Sequence, residues 1–410
     1  MRTIITFLND KGLREGMAYR WQGHEYEGGV FSLALRQFVT HDRMLVCNTP
    51  EAERVTWPYL LALHDPRIEP VPIPRGETTA EMWEMFDAIT SRVGEGESVV
   101  FDITHGLRSL PFLVFLFAAY LKSAKNVHID AIYYGALELG KPAPVIDLSE
   151  FVGILDWLNA TNQFIHTGDA RYLAELLKEA GEERRVGALS RAGSKLDQFS
   201  LAMMLCRPLE VMEEAAGLGK ELTGMSGKLT LDTQPFALLA DRIQETYAGR
   251  ALADPTGNVV PALAQQIDLV GWYLEHNQVI QGVTLAREWV VTAVSWRLGH
   301  GFTLRRDERQ AVEWAITGVA RSGQARAGQE ESVGEMPADG QAILTWETCS
   351  QLRDLWDRLA GVRNDLDHAG MSQNRMKAST LARKAQDDIW PRLRDLAIAW
   401  GVINAEAGRP

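Results

Sequence analysis

Ser98-Val99-Val100-Phe101-Asp102-Ile103-Thr104-His105-Gly106 is the stretch on which the fold turns. A short apolar run bounded by polar residues reads as a buried strand. A helix rich in apolar residues is expected to follow, from about Leu107 to Ala124. Strand, tight loop and helix in succession put backbone N–H groups and the positive helix end at the strand's carboxyl edge, where anions bind. Gly106 lets a ligand approach the backbone closely. Thr104 and His105 offer side-chain hydrogen bonds, and Arg108 adds positive charge.

The same alternation extends to both sides. Strands are expected at Thr3–Leu8, Arg43–Cys47, Val127–Tyr134 and Pro144–Leu148, and helices at Gly28–His41, Glu51–Leu63 and Thr78–Val93. Ile68–Ile73, broken by prolines, suits an edge strand. This pattern predicts an α/β domain with a Rossmann-like parallel sheet covered by helices on both faces. Ligands bind such sheets outside the carboxyl ends of the strands. Three loops meet there: Asn9-Asp10-Lys11, Asn48-Thr49 and Thr104-His105-Gly106. Asn9 and Asp10 can read base or ribose edges and Lys11 can meet phosphate. A plain polar loop is the alternative for Asp10 and Lys11. Phe7-Leu8-Asn9-Asp10-Lys11-Gly12 is not a Gly-x-Gly-x-x-Gly fingerprint, which disfavours dinucleotide oxidoreductase chemistry.

From about Phe151 the pattern is all-α. Phe151, Ile154, Leu155, Leu158 and Phe164 suit one helix, Tyr172 to Leu177 a second, and Lys195–Ala216 a third. Asp254-Pro255-Thr256-Gly257-Asn258 marks a turn and a boundary. One long helix is then expected to carry Trp272, Leu274, Ile280, Leu285 and Trp289. Further on, Leu352, Leu355, Trp356, Leu359, Val362 and Leu366 mark a buried helical face. That helix ends in Arg363-Asn364-Asp365-Leu366-Asp367-His368, with Gly370 as a C-cap.

At about 100° per residue, Arg363 falls inside the buried arc, while Asn364 and His368 share another side. A guanidinium, a carboxamide and an imidazole within about one turn can hold a phosphodiester and move protons on it. The plain alternative is a surface arginine and histidine near a helix end. Glu288 is the nominated carboxylate partner of a buried Arg363, and its neighbour Arg287 reads as surface charge. Asp365 and Asp367, about 200° apart on the helix, cannot readily share a metal ion. Ion pairs with Arg358 or Arg363 are their expected use. Ser322–Gln341, polar and rich in Gly, Ala, Gln and Glu, predicts a mobile loop.

Taken together, the segments resemble a known family. Asp102-Ile103-Thr104-His105-Gly106 matches the Asp-x-Thr-His-Gly signature of CRISPR-associated DxTHG proteins. Ile132 to Glu138 resembles the strand that follows it there. Arg363 to His368 matches the Arg-x(4–6)-His motif of HEPN ribonucleases, in the Arg-Asn-x-x-x-His form. The resemblance implies a CARF-type sensor over 1–150 and a HEPN-type effector over 256–405, with a helical region, 151–255, that matches no motif. It implies a cyclic oligoadenylate activator, tetra-adenylate first, met by Asn9, Asp10, Lys11, Asn48, Thr49, Thr104, His105, Gly106 and Arg108. No other cofactor and no metal are expected. It further implies cleavage of single-stranded RNA, with Arg363, Asn364 and His368 catalytic, in a homodimer or higher assembly. Two other readings stand beside it: a ligand-binding regulator without catalysis, and a ring nuclease that degrades the activator.

Composition bounds these readings. A chain of 410 residues suits two or three domains, and 46% hydrophobic residues suffice for their cores. No run of ~18 apolar residues predicts a membrane span, and the N-terminus has no signal-peptide pattern. Cys47, Cys206 and Cys349 are widely spaced, which points to a reducing cytoplasm and away from disulfides or zinc. A net charge of −12 argues against nonspecific coating of nucleic acid and against stable DNA binding.

Overall fold

The computed structural model describes residues 1–105, 110–183, 185–225, 248–325, 336–371, 373 and 375–405. The chain divides into two compact units, Met1–Asp156 and Trp157–Pro410.

The first unit is built on eight strands: β1 (Arg2–Phe7), β2 (Ala18–Trp21), β3 (His24–Glu27), β4 (Arg43–Asn48), β5 (Ile68–Pro72), β6 (Ser98–Asp102), β7 (His128–Gly135) and β8 (Ala143–Asp147). Their order is β3-β2-β8-β7-β6-β1-β4-β5. The five strands from β7 to β5 run parallel, whereas β8 is antiparallel to β7 and β3 antiparallel to β2. Pro70 and Pro72 sit on the β5 edge, where a missing N–H costs no ladder bond. Helices α1 (Phe31–Phe38), α2 (Pro50–Val55), α3 (Trp57–Leu61), α4 (Thr79–Thr90) and α5 (Leu110–Lys125) complete the unit.

Strand alternation sorts the core into two layers. Ile5, Phe7, Leu45, Val99 and Phe101 bury against Met85 and Ile89 of α4 and Val114 and Phe117 of α5. Ile4, Met44, Val46 and Val100 bury against Phe31 and Leu35 of α1 and against Ala52 and Leu60.

Two expectations need correcting. The helix expected over Gly28–His41 begins only at Phe31, after an extended Val30. Before it lies a hairpin, β2–β3, turned by Gln22 and Gly23 at φ 49° and 82°, the backbone a two-residue I′ turn requires. The helix expected over Glu51–Leu63 is two short helices, because Pro58 has no N–H to continue the ladder. At the break, Thr56 turns inward and its hydroxyl donates to the Asn9 carbonyl at 2.6 Å, pinning the loop after β1.

The second unit is helical throughout its described residues. α6 (Ser149–Thr167) spans the boundary and leads to α7 (Arg171–Glu183), α8 (Gly187–Met204) and α9 (Pro208–Met225). Then come α10 (Val259–Glu275), α11 (Val279–Arg297), α12 (Arg306–Ala325), α13 (Ala338–Leu344), α14 (Cys349–Asp367), α15 (Ala378–Lys384) and α16 (Trp390–Ala399). A single π turn, Ala385–Ile389, joins the last two. One core unites Phe164, Leu196 and Phe199 with Tyr273, Trp289, Leu355 and Leu393. Polar ends of its aromatics are satisfied: Tyr273 donates to the Met203 carbonyl at 2.6 Å and Trp289 to the Leu263 carbonyl at 2.9 Å.

Three helix boundaries differ from expectation. Lys195–Ala216 is divided at Cys206, whose φ is 55°, just before Pro208. The long helix through Trp272 and Trp289 is divided at Asn277, φ 57°. Ser322 belongs to α12 and Gln341 to α13, so the loop expected over Ser322–Gln341 is helical at both ends. Its residues 326–335 lie outside the described ones. Among the described residues no helix is long and apolar enough to cross a membrane.

Candidate functional site

At the carboxyl edge of the parallel strands lies a cleft of about 720 Å³. Asn9, Asp10, Lys11, Thr49, Thr104 and His105 all line it. Asn48 does not. It is buried at the end of β4, and its carboxamide atoms have no hydrogen-bond partner among the described residues. Gly106 and Arg108 lie outside the described residues. Arg14 and Arg75 also line the cleft, and neither belongs to the three loops expected there. Arg75 is held by Glu51 and, at 3.6 Å, by Glu77. Nothing in the local pattern around Arg14 marks it, because its place depends on the hairpin that follows.

The loop after β6 is clamped by its own side chains. Asp102, fully buried, accepts from the Thr6 hydroxyl at 2.5 Å and from the Thr104 N–H at 2.8 Å. Burial pushes its carboxyl up to about 6, against the downward pull of those two donors. The Thr104 hydroxyl accepts from the Gly135 N–H at 2.8 Å, tying the loop to β7. His105 Nε2 accepts from the Phe31 N–H at 3.0 Å, in the first turn of α1. The ring proton therefore sits on Nδ1. Burial, reinforced by Arg14, pushes the imidazole down to about 4, so it is neutral at pH 7. Thr49 is likewise occupied, capping α2 by accepting from the Ala52 N–H at 3.3 Å. Lys11, Arg14 and Arg75 are then the cleft's cationic side chains.

The second unit holds a cavity of about 400 Å³ between α12 and α14. Arg363, Asn364 and Asp367 line one wall, Thr317 and Arg321 the other, and Arg287 and Trp356 also contribute. His368 follows at the C-cap of α14, exposed and outside the lining. The helix closes through two left-handed residues, Ala369 (φ 50°) and Gly370 (φ 69°). The Gly370 N–H returns to the Asp365 carbonyl at 3.1 Å, as in a Schellman closure.

Arg363 is not buried. Its side chain is 44% exposed and pairs with Asp367 at 3.0 Å. Periodicity gave its azimuth correctly, in line with Trp356 seven residues earlier, but α12 leaves that flank open and the opening is the cavity. Glu288 is not its partner: that carboxylate bridges Arg287 at 2.9 Å and Arg309 at 2.7 Å. Among the described residues Asp365 makes no ion pair of the kind expected; it accepts from the Met376 N–H at 2.7 Å, anchoring the chain beyond the helix. Arg287, read as surface charge, is largely buried. It is gripped by Glu313 at 2.7 Å and lies 5.2 Å over the Trp356 ring. Glu313 is 26 positions away on another helix, so no local pattern could reveal it. Among the described residues, no group of three or more His, Cys, Asp or Glu is placed to hold a metal ion.

Residues 153–249 match the family described as CRISPR-associated protein MJ1674, second domain. The CRISPR-associated protein MJ1674 of Methanocaldococcus jannaschii is 34% identical over 110 residues, which is 25% of this chain and 17% of that protein. The similarity thus spans about a sixth of the relative's length. Among solved structures, Enterococcus italicus Csm6 bound to cyclic hexa-2'-fluoro-hexa-dAMP aligns over 99% of this chain and 96% of that one. Its TM-score is 0.44 and its identity 8%, a likeness too slight to argue from. The family match begins within α6, takes in α7 to α9, and contains neither the cleft residues nor Arg363 to His368. This chain therefore carries a helical segment similar to one domain of a CRISPR-associated protein.

Proposed function

We propose that this chain is an endoribonuclease of CRISPR antiviral defence, activated by a cyclic oligoadenylate and cleaving single-stranded RNA without metal. The observation that carries the reading is the group at the end of α14. Arg363 and Asn364 face a cavity, His368 follows about one turn on, and none of the three belongs to the core. The helical segment similar to a CRISPR-associated domain supports the biological setting. The cleft of the first unit, with Lys11 and Arg14 on its walls, supports an anionic ligand at the carboxyl edge of the sheet. The sensor corresponds to 1–150, the effector to 256–405, and 151–255 connects them.

The proposed chemistry is attack by the 2′-hydroxyl of RNA on the adjacent phosphorus. The P–O5′ bond breaks, and the proton lost from the 2′ oxygen is balanced by one delivered to the 5′ oxygen. The products are a 2′,3′-cyclic phosphate and a 5′-hydroxyl. Arg363 stabilises charge on the phosphoryl oxygens through its planar fork. His368 moves a proton at the reacting oxygens. Asn364 orients the phosphate or the histidine. Cyclic tetra-adenylate is the first choice of activator, and a symmetric ring suits a homodimer in which each protomer offers the same loops. Activation is then a population shift, with the ring binding the active arrangement more tightly than the resting one.

The test incubates the full chain with labelled single-stranded RNA in EDTA, with no ring, cyclic tetra-adenylate or cyclic hexa-adenylate, following RNA and ring together. The expected result is ring-dependent cleavage leaving 5′-hydroxyl ends. Intact RNA under every ring would favour a regulator without catalysis, and loss of the ring alone a ring nuclease. A demand for divalent metal, or 5′-phosphate ends, would sink the mechanism.

A further inference from the structure

The cavity beside Arg363 has a second wall that the proposed chemistry does not use. Arg321 lines it from α12 and is exposed, and no carboxylate pairs with it among the described residues. The neighbouring arginines differ. Arg287 is held by Glu313 and Glu288, Arg309 by Glu288, Arg358 by Asp354 and Asp388, and Arg363 by Asp367. In a chain of net charge −12, an arginine left unmatched at a cavity edge is a ready contact for an external anion.

Trp314 stands seven residues before Arg321 on the same helix and is 64% exposed. At 100° per residue the two are about 20° apart in azimuth, and at 1.5 Å per residue about 10 Å apart along the axis. The helix presenting them is anchored. Val312, Ala315, Ile316 and Val319 bury its opposite face, and the Trp356 indole donates to the Thr317 hydroxyl at 3.3 Å. A guanidinium and an exposed indole in line on a rigid helix combine the two elements that hold single-stranded nucleic acid: backbone charge and a stacking platform. Asp357 and Asp367 line the cavity as well. Their charge disfavours phosphate on the α14 side away from Arg363, which leaves the α12 wall for the strand.

We infer that Arg321 and Trp314 form a substrate subsite for single-stranded RNA, with Arg321 taking a phosphate near the one cleaved and Trp314 stacking a base beyond it. The inference rests on the reading of Arg363 to His368 as an RNA-cleaving group. It commits to an unpaired strand, because a base inside a duplex has no free face to offer the indole.

The test measures fluorescence anisotropy of a short labelled single-stranded RNA on the full chain carrying His368→Ala, so that the RNA stays intact, with cyclic tetra-adenylate and with cyclic hexa-adenylate. Arg321→Ala is expected to weaken binding about tenfold and to lower the slope of log affinity against log salt by about 0.7, the share of one phosphate. Arg321→Lys should restore most of both. Trp314→Ala should weaken binding at least about fivefold with the slope unchanged, and Trp314→Phe should recover part of it. In the cleaving parent the same variants should raise KM and leave kcat within about twofold. Affinities within about twofold of the parent for both alanine variants would overturn the subsite. So would a shift to monomer on light scattering that accounts for the loss in Trp314→Ala, which would assign that face to a second copy of the chain. RNA binding that depends on Arg321 in a parent that never cleaves would keep the subsite and remove the nuclease reading. No RNA binding with any ring would remove the subsite.

Discussion

The cleft of the first unit and the cavity of the second use their motif residues in opposite ways. In the cleft, Asp102, Thr104 and His105 are already spent on the protein itself: each accepts a backbone N–H, from Thr104, Gly135 and Phe31 respectively. At the end of α14, Arg363 has one surface ion pair, and the side chains of Asn364 and His368 make no hydrogen bond among the described residues. The contrast teaches where each motif acts. A loop whose polar groups are consumed internally is a rigid frame, and under the proposed reading the ligand's charge is met from its surroundings, where Lys11, Arg14 and Arg75 line the cleft. Side chains left uncommitted at a cavity edge are available for chemistry.

The largest expected effect lies on the uncommitted side. His368→Ala should lower RNA cleavage by roughly 10²–10⁴-fold, with ring binding by calorimetry unchanged. Because His368 is exposed, urea unfolding should move by less than about 0.5 kcal/mol. Retained cleavage would place the chemistry elsewhere and remove this half of the contrast.

Substitution in the frame should instead cost stability. Asp102→Leu leaves the Thr6 hydroxyl and the Thr104 N–H without their acceptor, which costs about 2–4 kcal/mol, read by urea unfolding. The frame also carries a pH signature with two opposing signs. The Asp102 carboxyl sits at about 6 in the folded chain against an ordinary 3.8. Between those values the folded state holds the extra proton, so this group adds stability as pH falls. The His105 imidazole sits at about 4 against an ordinary 6.5. There the unfolded state takes the proton first, and stability is lost as pH falls from 6.5 towards 4. His105→Gln removes the second effect alone. The variant should be less stable than the parent at pH 7.5 and should close or reverse that gap at pH 5. A gap that stays constant between the two would mean that His105 is not held neutral.

Asp365 is the one member of the α14 motif that behaves like the cleft residues, being buried and bound to the Met376 N–H. Asp365→Ala should cost about 1–3 kcal/mol by urea unfolding and reduce cleavage by loosening the turn that carries His368. An effect on rate with no effect on stability would make Asp365 a direct participant. The smallest effect belongs to Asp367. Its exposed pair with Arg363 contributes under about 0.5 kcal/mol, so Asp367→Asn should melt like the parent.

How far the sequence could be read follows from the range of the forces involved. The alternation of apolar strands and helices shows in runs such as Thr3–Leu8, because each strand of a doubly covered sheet is apolar on both faces. The β2–β3 hairpin was hidden: its four-residue strands are mixed in polarity, and Gln22-Gly23 is a weaker turn signal than Asn-Gly. Six of the nine residues nominated for the ligand line a single cleft, since the position of a loop at a strand's carboxyl end follows from topology. The burial expected of Arg363 and its expected pairing with Glu288 fail for a common reason. Periodicity fixes the direction of a side chain along one helix but not what the next helix leaves uncovered. Arg287 reads as surface charge on the same ground, its burial being set by Glu313 and Trp356 on two other helices.

The claim that the first unit sets activation while the second performs chemistry is tested most directly by titrating RNA cleavage with cyclic tetra-adenylate for the parent and for Arg14→Ala. Arg14 is exposed, lines the cleft and donates no side-chain hydrogen bond among the described residues, so its loss should act chiefly on ligand binding. The midpoint should shift about tenfold or more to higher ring concentration, as expected for one charge-assisted contact, with the same maximal rate at saturation. An unchanged midpoint with a collapsed maximal rate would contradict it.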